Sequence, residues 1–119
     1  GVLSGSGAAS VSLDSLVLSA TGLVSGQPGL YFQADNAING GAGTPFGDGI
    51  RCAGGGVIRL QVAGASAGGE SATSLSISVK GGAVSGSVFR YQLWYRDPNT
   101  SPCGANFNLT NGLEVVWQA

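Results

Sequence analysis

The 119-residue chain is long enough for one domain with a core of its own and too short for two. Five basic and six acidic side chains, a net charge of −1 and no basic cluster argue against nucleic acid as a partner, and no apolar run of about 18 residues is available to cross a membrane. The absence of His rules out Ser–His and Cys–His triads within the chain, while few charges with many Ser, Gly and Asn residues fit an extracellular or cell-surface setting.

The first ten residues, GVLSGSGAAS, carry little side-chain surface to bury and a high ordering cost. Order in this head therefore requires a partner: its own domain, a neighbouring molecule in a crystal, or another copy of the chain. Val11 and Leu13 alternate with Ser12, whereas Leu16 and Leu18 alternate in the opposite parity, so Asp14-Ser15 marks a bulge or a switch between sheets. Two strands in series follow, Ala9–Leu13 and Leu16–Ala20. Residues 1–13 are accordingly read as an N-terminal extension and 14–119 as the domain.

Period-2 alternation dominates the remainder. Strands are expected at Leu30–Gln33, at Ile58, Leu60 and Val62, and at Leu75, Ile77 and Val79 against Ser74, Ser76 and Ser78. The longest strand places Phe89, Tyr91, Leu93 and Tyr95 on one face and Arg90, Gln92, Trp94 and Arg96 on the other. Leu113, Val115 and Trp117 form the inward set of a final strand, with weaker strands near Val84 and Phe107. No segment reads as an amphipathic helix longer than two turns. The pattern predicts an all-β fold, an antiparallel β-sandwich of jelly-roll or immunoglobulin-like topology.

A glycine-rich stretch from Asp35 to Gly56 interrupts the strands and contains Cys52; the other cysteine, Cys103, lies in SPCGAN. In an exported domain the pair reads as one disulfide worth roughly 3–4 kcal/mol, and in a cytosolic one as two buried free thiols. Without His or CxxC the pair does not form a zinc site.

Three blocks carry a family resemblance: GQPGLYFQADNAINGGAGTPFGDGIRCAGG (Gly26–Gly55), YQLWYRDP (Tyr91–Pro98) and, after Cys103, FNLTNGLEVVW (Phe107–Trp117). Together they resemble a β-rich module that recurs near the C-termini of large secreted proteins of environmental bacteria and has no assigned activity. The resemblance implies export, a β fold and pairing of Cys52 with Cys103, but no reaction. The head before Asp14 lies outside it.

Candidate sites are few. Asp35, Asn36, Asn39 and Asp48 offer oxygen ligands for Ca²⁺, but no three acidic residues stand close together, and turn capping accounts for them. Asp35 and Asp48 share a loop, which makes them the one expressible glycosidase pair, although so small a domain leaves little room for a cleft. Trp94 between Arg90, Gln92 and Arg96 offers a stacking platform for a glycan, or packs under a loop or a second subunit. Asn99 and Asn108 begin formal glycosylation sequons, and the Ser74, Ser76 and Ser78 row is either a solvated strand face or a site for O-linked sugar. The head, through Val2, Leu3, Val11 and Leu13, is suited to β-strand addition onto another copy. The chain is thus expected to be a non-catalytic, cofactor-free secreted module that polymerises with itself, with carbohydrate binding or adhesion as the alternative.

Overall fold

The computed structural model describes residues 1–37, 44–46, 49–51, 53–54, 57–96 and 107–119. In chain order the strands are β1 (Val2–Ser6), β2 (Val17–Thr21), β3 (Pro28–Ala34), β4 (Asn36–Ala37), β5 (Thr44–Phe46) and β6 (Gly49–Arg51). They continue as β7 (Ala53–Gly54), β8 (Ile58–Gly64), β9 (Ser71–Ala72), β10 (Val88–Arg96), β11 (Phe107–Leu109) and β12 (Leu113–Val116), with a short helix α1 (Ile77–Gly81) between β9 and β10. The fold is thus mostly β, and every strand pair among the described residues is antiparallel.

Two sheets carry the structure. The smaller has the order β1-β2-β9 and the larger β11-β10-β3-β8, with β12 also on β10. β12 pairs with the first half of β10, from Val88 to Tyr91, and β11 with its end, from Trp94 to Arg96. Thr110 joins the two: its N–H donates to the Leu93 carbonyl at 3.0 Å, and its hydroxyl accepts from the Leu93 N–H at 3.0 Å. The pairs β4–β7 and β5–β6 form two further small ladders.

Both sheets contribute to one core, because alternation along each strand turns its apolar set to the same side. Leu3, Leu18 and Ala20 come from the smaller sheet, and Tyr31, Leu60, Tyr91, Leu93, Tyr95 and Val115 from the larger, with Ile77 and Trp117 beside them. A register shift between Tyr31 and Phe32 against Gln61 and Arg59 leaves Leu60 as an extra residue, and its side chain is buried in this core. Fully burying each large apolar side chain is worth about 1.5–3 kcal/mol.

A polar chain crosses the core with every member bonded. Trp117 Nε1 donates to the Tyr91 hydroxyl at 3.0 Å, which donates to Gln33 Oε1 at 2.8 Å. Gln33 Nε2 in turn donates to the Gly81 carbonyl at 2.9 Å, tying α1 to the larger sheet. Burial pushes the Tyr91 hydroxyl up to about 12, against a smaller opposing effect of the Trp117 bond. Burial likewise raises Tyr31, whose hydroxyl bonds to Ser71 Oγ.

Two expected strands are corrected by the structure. Leu75, Ile77 and Val79 do not share a strand face; Ile77 is buried at the start of α1, whereas Val79 is 78% exposed. Ser76 caps this helix by accepting from the Val79 N–H at 3.3 Å, and Gly82 ends it at φ 66°. Val84 lies in a connection, not a strand: Ser87 Oγ accepts its N–H and its carbonyl accepts from the Ser87 N–H, closing a local turn.

Candidate functional site

The head is seated on its own chain. β1 pairs with β2 from Val2 opposite Thr21 to Ser6 opposite Val17. Alternation turns Leu3 inward, where it is 3% exposed, and Val2 outward, at 60%. Leu3 is the one buried side chain of β1; main-chain pairing supplies much of the remaining attachment. The outer edge of β1 is also bonded. Asn111 Oδ1 accepts from the Leu3 N–H at 2.8 Å, and Asn111 Nδ2 donates to the Leu3 carbonyl at 3.1 Å. One carboxamide thus stands where a neighbouring strand would be. The Gly1 amino nitrogen donates to the Tyr95 hydroxyl at 2.9 Å.

The segment Ala9–Leu13, expected to be a strand, is a turn. Ser10 forms an isolated parallel bridge with Gln118, through Val11 N–H to the Gln118 carbonyl and Gln118 N–H to the Ala9 carbonyl, both at 2.8 Å. The Ser10 hydroxyl donates to the Ala119 carbonyl at 2.8 Å and accepts from the Leu13 N–H at 3.2 Å, while its carbonyl accepts from the Asp14 N–H. These bonds curl the chain at Ser10 and prevent it from continuing extended. Val11 therefore packs only partly against the core and Leu13 is 69% exposed. Asp14, where the parity switches, has φ 50°, and its Oδ1 accepts from Ser76 Oγ at 2.7 Å and Ser78 Oγ at 2.9 Å. The serines read as a strand row are thus spoken for: Ser78 is 3% exposed, and the Ser74 N–H donates to Gln61 Oε1.

The second candidate is the outer face of the larger sheet. Trp94 pairs with Leu30 on one side and Leu109 on the other, and Leu30 pairs with Val62. The indole is half-buried against a second small core of Phe32, Ala34 and Leu109. Gln92, expected on an exposed face, is fully buried there and donates from Nε2 to the Thr110 carbonyl. Arg90 is engaged through Nη1 with the Asp35 carbonyl at 2.9 Å and through Nη2 with Glu114 Oε1 at 3.6 Å. Arg96 is exposed, on the rim of an open groove of about 200 Å³ lined by Pro28, Leu30, Val62, Trp94 and Tyr95.

Of the other expected residues, Cys52, Cys103, Asn39, Asp48 and Asn99 lie outside the described residues, and with them the disulfide and the Asp35–Asp48 pair. Asp35 is exposed after β3, Asn36 begins β4, and Asn108 sits in β11 opposite Tyr95. Among the described residues, no group of three or more His, Cys, Asp or Glu is placed to hold a metal ion, and no helix is long and apolar enough to cross a membrane.

The residue that sequence reasoning missed is Asn111. It stands in an Asn-Gly dipeptide, whose ordinary meaning is a tight turn. Comparison with protein-family models, with curated proteins and with solved structures finds no match for the chain.

Proposed function

We propose that this chain is a non-catalytic structural module of the cell exterior that assembles with copies of itself by exchange of its N-terminal segment. In this reading the two sheets form a sandwich, stapled between Cys52 and Cys103, and the assembly is a filament or surface layer. The observation that carries it is the attachment of β1: an edge strand with one buried side chain, joined to the domain by a compact turn. A strand held this way makes the same bonds to β2 whichever copy supplies it. Donation from one copy to the next is head-to-tail, has no closing symmetry, and builds open chains.

Deleting residues 1–13 is the test. Sedimentation of the intact chain should show species that grow with concentration, and the shortened chain should remain folded and monomeric. Assembly by the shortened chain, or a monodisperse intact chain at every concentration, contradicts the reading.

The groove beside Trp94 favours a second reading, glycan binding, with the indole stacking on a sugar ring and Arg96 reaching its hydroxyls. Binding on a glycan array that disappears in Trp94→Ala supports it, and silence on the array counts against it.

A further inference from the structure

We infer that β2 and Asn111 form a strand-binding slot, specific for an extended segment that presents a large apolar residue in the place of Leu3. Its partner is Val2–Ser6 of a second copy, an assignment that rests on the assembly reading above.

The slot has two hydrogen-bonding walls. In an antiparallel pair, alternate residues turn their N–H and C=O towards the partner strand. Leu3 turns both of its groups away from β2, and Asn111 takes both, at 2.8 and 3.1 Å. Its neighbours Val2 and Ser4, paired with Thr21 and Ser19, therefore turn theirs towards β2. A strand lying here is gripped along both edges, although Asn111 belongs to the β11–β12 corner of the other sheet.

The side chains set the register. Leu3 fills the core at 3% exposure, so a slip by one residue would present Val2 or Ser4 to the core and turn Leu3 out. A slip by two would put a glycine at the Leu3 position and leave a cavity. Position 5 is permissive. A Cβ added to Gly5 would rest in ordinary van der Waals contact, 3.4 Å from Leu113 Cδ2 and 3.5 Å from Leu16 Cδ1, and Gly5 is exposed. The register is therefore set by Leu3. All these contacts are to main chain or to apolar atoms, and none depends on the segment being covalently joined to the slot.

The test uses the full-length Leu3→Asp chain, whose own head cannot seat a carboxylate in the core, and a fluorescent synthetic peptide of sequence GVLSGSG. Saturable binding is expected. Adding Asn111→Ala should weaken it roughly tenfold or more, the effect of losing two hydrogen bonds. A peptide with Ser in place of Leu3 should bind at least tenfold worse. No binding, or equal binding by these variants, overturns the slot. If Leu3→Asp fails to fold, amide exchange on the otherwise wild-type chain decides the matter. Asn111→Ala should speed exchange at the Leu3 amide by tenfold or more, and an unchanged rate overturns the slot. Peptide binding alongside an intact chain that remains monomeric supports the slot and removes the assembly reading. Assembly of the intact chain without peptide binding overturns the slot and leaves assembly to another surface.

Discussion

Gly81 illustrates how one residue can hold a core network in place. A Cβ there would lie 2.0 Å from Gln33 Oε1, the atom that accepts the Tyr91 hydroxyl. Gly81→Ala must therefore displace a buried carboxamide that bonds in two directions, and we expect a loss of about 2–4 kcal/mol in urea unfolding. Tyr91 sets the alkaline limit of stability. Its hydroxyl titrates at about 12 in the folded chain against an ordinary value of 10.0. Below pH 10 it is neutral in both states and its contribution is complete. Between pH 10 and 12 the unfolded chain ionises first, so stability should fall by about 1.4 kcal/mol per pH unit, about 3 kcal/mol in all. Tyr31 is shifted in the same direction and adds to the fall. Tyr91→Phe should flatten this slope while costing stability at neutral pH, because Trp117 Nε1 and Gln33 Oε1 lose their partner. Denaturation midpoints from pH 7 to 12 read out both effects. At Asp14 two contributions oppose each other. Replacing it with Ala or Gly removes both serine bonds, but only Gly relaxes a φ of 50°. Asp14→Gly should therefore be the milder change by about 1 kcal/mol in thermal unfolding.

At the scale of elements, the positions of strands were legible in the sequence where both alternation and a core contact were present, although a bulge was not. The strands β2, β3, β8, β10 and β12 fall on the expected runs, but in β8 the alternation of Ile58, Leu60 and Val62 breaks at the bulge, which leaves Val62 68% exposed and turns Ala63 to the core instead. β1 was illegible as a strand because a single Leu in a Gly/Ser background has no period, and its pairing with β2 is long-range. The run from Ser74 to Val79 misled because five helical residues are too few to distinguish period 2 from period 3.6. What decides it is distant in the chain, the Asp14 carboxylate held by Ser76 and Ser78. The candidate site was legible in part: Leu3 and Trp94 were named, whereas Asn111 was hidden by the ordinary meaning of Asn-Gly, and the burial of Gln92 depends on the small core around Phe32. Helix α1 permits a direct check. Ser76→Ala removes both its cap and one bond to Asp14, and about 1–2 kcal/mol should be lost.

For the whole molecule, Asn111 reaches β1 from the β11–β12 corner and so bonds the smaller sheet to the larger. Seating the head therefore completes the smaller sheet and links it to the larger in one step. If copies exchange this strand, subunit association and closure of each domain become the same event. The most direct measurement uses isotopically heavy and light chains, mixed before assembly, each with a photoreactive leucine analogue at position 3. After illumination, the position-3 cross-links to Asn111–Leu113 are sorted by mass. Strand exchange predicts heavy-to-light cross-links in the assembled fraction at close to the statistical proportion. Cross-links confined to heavy-with-heavy and light-with-light peptides would show that every head remains on its own chain, and would contradict the account.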